Sequence, residues 1–213
     1  MRIRHRRGIV RFYPQFALIT ADPGEGDMAS NIKAVTVFCG SSPGDSPAFA
    51  TAARDLGAFL AGRGIRLVYG GGGIGLMGIL ARAVADGGGE VDGIIPEFLT
   101  VPEVMKDAPG DHEITDNLHD RMQAMAARAD AFVVLPGGIG TIAELVDILT
   151  WKQLGRHAKP IIILDIDGYW TPLAELLDHI VARGFSHGDL KGMYRVVPSV
   201  DGLADALGLG SAS

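Results

Sequence analysis

Residues 131–154 read AFVVLPGGIGTIAELVDILTWKQL, and three physical signals follow one another there. Ala131–Leu135 is apolar at every position, without the in–out alternation of a half-solvated strand. A strand of that kind is buried on both faces, which means a parallel sheet covered by helices. Pro136–Gly140 then breaks the run with three glycines. Beyond it, Ile142, Leu145, Val146 and Leu149 recur at helical spacing and predict an inward-facing helix over Thr141–Leu154.

The same order of strand, loop and helix extends in both directions. Strands are predicted at Ala34–Cys39, Ile65–Tyr69, Val91–Ile95, Pro160–Asp165 and Arg195–Val197. Helices are predicted from Ser46-Pro47 to Gly62, over Leu76–Ala85, from about Asn117 to Arg128, from Thr171-Pro172 to Ala182, and from Asp201. Ser46 and Thr171 read as caps, as does Thr115 or Asp116. Leu118, Met122, Met125 and Ala129 should form the buried face of the helix ending at Arg128. Residues 97–114 read as irregular. Such alternation defines a single doubly wound, mostly parallel α/β sheet with helices on both faces, a Rossmann-like fold. Its ligand belongs at the carboxyl ends of the strands.

The domain is expected to span 31–213. Residues 1–30 read as a basic extension, expected to be flexible. Residues 1–27 carry five arginines against three acids, +2 within a total of −6, so the remainder carries about −8. They lack the apolar core and cleavage site of a secretory signal, and Met28 could serve as a start. An acidic domain with no basic face argues against nucleic acid as partner. No apolar run reaches membrane length, so no membrane partner is expected. Cys39 is the only cysteine, which excludes an intramolecular disulfide and suits a cytoplasmic protein. Six histidines in no ligand spacing leave no expected metal, and no cofactor is expected.

Glycine supplies 30 of 213 residues, about twice its usual ~7% share. Nine of the 30 fall in two loops, six at positions 70–78 and three at 137–140. In the first, Gly70–Gly78 (GGGGIGLMG) matches GxGxxG in two registers but lacks the acidic residue ending the next strand. A dinucleotide reading is therefore weak, while backbone amides of Gly71 and Gly72 could meet an anion or sugar. In the second, Gly137, Gly138 and Gly140 would expose amides to a phosphate, helped by the Thr141 hydroxyl. Glu144 reads two ways: as the partner of Thr141 in a capping box, or as an acid, base or cation stabiliser beside the cradle. Ser41 follows the first strand, within reach of base or ribose. Cys39, Trp151 and Trp170 read as packing residues.

These segments together resemble the Lonely Guy (LOG) family of cytokinin riboside 5′-monophosphate phosphoribohydrolases, whose older description is lysine decarboxylase-like. Leu135–Gly155 resembles its PGGxGTxxE signature and following helix. Val37–Ser42, Val68–Gly78, Gly93–Pro96, His119–Met122 and Lys159-Pro160 agree in order. The resemblance implies hydrolysis of an adenine-type nucleoside 5′-monophosphate to free base and ribose 5-phosphate by a homodimer, with Glu144 and Arg121 catalytic. Two departures stand out. Met122 takes a position among the nucleotide-binding residues where the family commonly has lysine, and its place on an apolar helix face reads as core packing. Ala143 replaces a glutamate. The alternatives are a non-catalytic nucleotide or molybdenum-cofactor carrier and a pyridoxal-phosphate decarboxylase. The latter needs a Schiff-base lysine, and none of Lys33, Lys106, Lys152, Lys159 and Lys191 lies in a glycine loop.

Overall fold

A computed structural model of the chain describes residues 3–5, 8–10, 32–186 and 189–210. Strands β1 (Ile3–His5) and β2 (Gly8–Val10) pair antiparallel with each other. The flexibility expected of residues 1–30 otherwise lies outside the described residues.

The domain is a seven-stranded sheet, parallel throughout, flanked by helices. In chain order its elements are β3 (Ala34–Phe38), α1 (Pro47–Gly62), β4 (Arg66–Tyr69), α2 (Gly75–Asp86), β5 (Val91–Pro96), α3 (Pro102–Met105), β6 (Asp111–Thr115), α4 (Leu118–Arg128), β7 (Ala131–Val134), α5 (Ile139–Gln153), β8 (Ile161–Leu164), α6 (Thr171–Ala182), β9 (Arg195–Val197) and α7 (Leu203–Ala206). The spatial order is β6-β5-β4-β3-β7-β8-β9. The chain thus winds outward from β3 to one edge, returns, and winds from β7 to the other. The reversal falls between β3 and β7, paired from Val35↔Ala131 to Phe38↔Val134. Their outgoing loops leave in opposite directions, which is where a doubly wound sheet has its ligand crevice.

Strand pleating divides the core. Val35, Val37, Leu67 and Tyr69 face α1, α2 and α7, whereas Ala34, Phe38, Phe132 and Ile163 face α4, α5 and α6. Burying each large aliphatic side chain contributes roughly 1.5–3 kcal/mol. Thr36, buried on the central strand, is satisfied by donating to the Met125 carbonyl of α4 at 2.9 Å.

Several expectations need correction. Residues 97–114 are not irregular: they hold α3 and most of β6, which pairs in register with β5 from Asp92↔Asp111 to Pro96↔Thr115. β6 is an edge strand with mostly exposed side chains, so it lacks the apolar run by which a buried strand is read. Helix α5 starts at Ile139, with Gly138 as cap. Thr141 is therefore inside the first turn and buried, and no capping box forms with Glu144. Asn117, rather than Thr115 or Asp116, caps α4 by accepting from the Asp120 amide at 2.9 Å. α6 has no side-chain cap; Thr171 instead donates to Asp165 at 3.2 Å. Leu118 and Val146, expected inward, are exposed, and Ile148 takes the buried position on α5.

Candidate active site

Arg121 lies in the first turn of α4 and Glu144 in the second turn of α5, on the same face of the sheet. Their side chains meet: Arg121 Nη2 donates to Glu144 Oε1 at 2.7 Å, with 15% and 16% of the two side chains exposed. Arg121 Nε also donates to the Ile94 carbonyl of β5 at 3.1 Å. The guanidinium is thus fixed by two contacts across the carboxyl ends of the central strands. Gly70, just after β4, permits this approach, since a Cβ there would collide with Arg121 Nη2.

Burial pushes the Glu144 carboxyl up to about 7, because an ion is poorly solvated there; Arg121 opposes the rise and Asp147 adds to it. A carboxyl near neutrality can exchange a proton under physiological conditions. Cys39, at the end of β3, is influenced by the same pair. Burial and the Glu144 charge push its thiol well above the ordinary range, so it remains a protonated core group.

The β7–α5 loop forms the second part. Gly40 donates to the Pro136 carbonyl at 3.0 Å and Tyr169 Oη to the Gly137 carbonyl at 2.6 Å. Both carbonyls are held toward the protein. The first α5 bond runs from the Ile142 amide to the Gly138 carbonyl, so the amides of Ile139, Gly140 and Thr141 have no partner within the helix. Gly138 and Gly140 are exposed, and a Cβ on either would meet open space. Helix dipole and free amides make this an anion-binding geometry. Gly137 is glycine for another reason: a Cβ would strike the Thr141 side chain and the Gly40 amide.

The first glycine loop has a different character. Gly71 and Gly72 are buried, Gly71 at φ +80° with its carbonyl 3.1 Å from His112 Nε2. Gly75, at φ +56°, packs where a side chain would overlap the Ser41 carbonyl. This loop therefore props up the Ser41 turn, and Ser41 itself is exposed at the crevice. Met122 is 5% exposed in the core with Met125, Phe38 and Phe132, which is the packing role its helix face suggested. Tyr169 was not singled out in the sequence. Its ring meets the adjacent Trp170 and the distant Phe49 edge-on at 4.9 and 5.5 Å, and periodicity does not reveal the Phe49 contact.

The doubly wound parallel sheet, with unpaired amides at the start of α5 and an ion-paired Arg121 and Glu144 at its strand ends, defines a Rossmann-like protein. A family model described as "Possible lysine decarboxylase" matches residues 77–207. The chain is 46% identical over 162 residues to the cytokinin riboside 5′-monophosphate phosphoribohydrolase LOG3 of Arabidopsis thaliana, covering 76% of this chain and 75% of that one. It is 42% identical over 174 residues to the LOG enzyme of that name from Oryza sativa subsp. japonica, covering 82% and 72%. The chain belongs to the Lonely Guy (LOG) family. Among solved structures, a molybdenum-cofactor carrier protein from Chlamydomonas reinhardtii shares the fold, with TM-score 0.62 and 22% identity over 81% of this chain and 93% of that one.

The decarboxylase description implies pyridoxal phosphate, and the residues present do not fit it. Lys152 and Lys159 donate to backbone carbonyls at the amino end of the sheet, and Lys191 pairs with Asp178. Lys33 precedes β3 at that same end, and Lys106 is exposed. No lysine amine is buried in the crevice to form the Schiff base.

Proposed function

We propose that this protein hydrolyses the N-glycosidic bond of an adenine-type nucleoside 5′-monophosphate, a cytokinin riboside 5′-monophosphate or AMP, releasing free base and ribose 5-phosphate. The observation that carries this reading is the Arg121–Glu144 pair beside the free amides of α5, in a chain more than 40% identical to phosphoribohydrolases over most of its length.

The phosphate is assigned to the amides of Ile139, Gly140 and Thr141, and the sugar to the space between them and Glu144. Ser41 faces base or ribose, above the loop of Gly71 and Gly72. Cleavage breaks the bond from C1′ to the base nitrogen, and positive charge builds on the ring oxygen and C1′. The Glu144 carboxylate stabilises that charge and takes a proton from the water that attacks C1′. The departing base leaves with the bond's electron pair and gains a proton. Arg121 keeps the carboxylate ionised and oriented. The reading places the enzyme in the cytoplasm as a homodimer. It is consistent with a single buried cysteine and with exposed apolar side chains at Phe98, Ile114 and Leu118. No helix among the described residues is long and apolar enough to cross a membrane.

Purified protein incubated with AMP and with isopentenyladenosine monophosphate should release base from at least one. Glu144→Gln should lower kcat at least ~100-fold while KM stays within about threefold. Activity on the carboxylate form makes kcat/KM rise with pH through about 7 and level off above it. Absence of base release from folded protein, or a fully active Glu144→Gln variant, would refute the assignment.

A further inference from the structure

The Lys159-Pro160 motif has no part in the site described above, yet it sits at a mechanically important place. α4 precedes β7 and α5 follows it, so both return from the carboxyl to the amino end of the sheet in one direction, over the same face. At their amino-terminal ends they are joined by Arg121 and Glu144. At the opposite end they are joined by the loop before β8. Lys159 Nζ donates to the Ala126 carbonyl in the last turn of α4 at 2.7 Å. The Lys159 carbonyl accepts from Lys152 Nζ of α5 at 3.0 Å. The Lys159 amide donates to His157 Nδ1 at 3.2 Å, while His157 Nε2, the protonated nitrogen, lies 2.9 Å from the Ile148 carbonyl of α5. The His157 ring rests on Phe132 of β7, with centroids 5.3 Å apart. Ala126 stands five residues beyond Arg121, and Ile148 four beyond Glu144, so each tie acts about one helical turn from the dyad.

We propose that Lys159 is a positioning residue for the reaction: with His157 and Lys152 it braces the carboxyl-terminal ends of α4 and α5 and so fixes the register in which Arg121 meets Glu144. The brace suits its place. Helix carbonyls at a C-terminus lack partners, and a cation there also meets the negative end of the dipole. Burial lowers both lysine amines from their ordinary range, with Asp130 partly restoring Lys159. These amines spend solvation on the joint, where an exposed lysine would spend none. If the register slips, the guanidinium retreats from Glu144. The groups facing that carboxyl are Arg121 from α4, Asp147 from its own helix and Cys39 from β3. Arg121 is the only cation among them, so its retreat drives the carboxyl further up.

This inference rests on the assignment of Arg121 and Glu144 to the reaction, and the test separates the two. Full-length Lys159→Met, Lys159→Arg, Lys152→Met and Glu144→Gln variants are assayed with the nucleotide that wild type cleaves, well below their melting temperatures. Lys159→Met should lose about tenfold in kcat with KM within threefold. Its rising pH–rate limb should move up by half a pH unit or more. Lys159→Arg, which still reaches the Ala126 carbonyl, should recover most of both, and Lys152→Met should shift the same readouts to a smaller extent. Should Lys159→Met not fold, the Lys152→Met limb decides. A folded Lys159→Met or Lys152→Met variant with lowered Tm but unchanged kcat and pH limb overturns the brace, provided Glu144→Gln is inactive. An active Glu144→Gln variant overturns the dyad assignment and the brace with it.

Discussion

Glu144 sits where ionisation is costly, and that cost has a measurable sign. Its carboxyl titrates near 4.5 in an unfolded chain and at about 7 in the folded one. Below both values the two states are equally protonated. As pH rises between them the unfolded chain ionises first, so folding loses up to about 3 kcal/mol, a loss complete above about 7. Glu144→Gln cannot ionise and escapes this loss. Its stability relative to wild type should therefore grow as pH is raised from 5 to 8, read from denaturant midpoints at fixed temperature. A constant difference across that range would show that the carboxyl is not desolvated. A residue costly to the fold is thus the one assigned to the chemistry, the usual stability–activity trade-off. The sequence reading of Glu144 left two roles open. What separates them is where α5 begins, and a glycine cap carries no side-chain signal by which that start could be read.

At the scale of elements, the two glycine loops look alike as sequence and behave differently as structure. Both lie between a strand and a helix, but Gly71 and Gly72 are packed while Gly138 and Gly140 face open space. Composition and spacing cannot tell these apart, because the difference depends on which distant segment lies opposite: Ile94, Ile95 and Val104 in one case, solvent in the other. A substitution can. Gly140→Ala should leave the fold intact or stabilise it by a few tenths to about 1 kcal/mol, since alanine is the better helix former. The new methyl projects beside the free amides, so KM for the nucleotide should rise about tenfold or more. Gly137→Ala should instead lower Tm by several degrees through its clash with Thr141. Equal KM for wild type and Gly140→Ala would remove the phosphate from the start of α5. The central strands and helices α1, α2, α4 and α5 were legible because each carries an apolar pattern of one period, most of which is buried. β6 was not, because an edge strand paired on one side needs no such pattern.

For the molecule as a whole, the sheet explains why the site can be assembled from residues more than a hundred positions apart. Parallel strands place every outgoing loop at one end, so Ser41, Gly70, Arg121, Glu144 and Tyr169 converge although they follow different strands. Convergence of this kind is a property of the seven-stranded parallel sheet. Among the described residues the core begins at Ile32, and β1 and β2 form a separate two-stranded sheet. The five arginines near the start could still matter by charge, since residues 1–27 carry +2 beside a domain of about −8 and the proposed substrate is an anion. The two ideas differ in a way that salt can expose. If the extension only precedes the domain, a chain starting at Met28 should keep its melting temperature within about 2 °C. Its kcat/KM should stay within twofold of full length at both 20 and 300 mM salt, and both proteins should scatter light as dimers, near 45 kDa for the full 22.4 kDa chain. If the arginines draw in the nucleotide, the shortened enzyme should lose kcat/KM at low salt and regain parity at high salt, where charges beyond roughly 5 Å are screened.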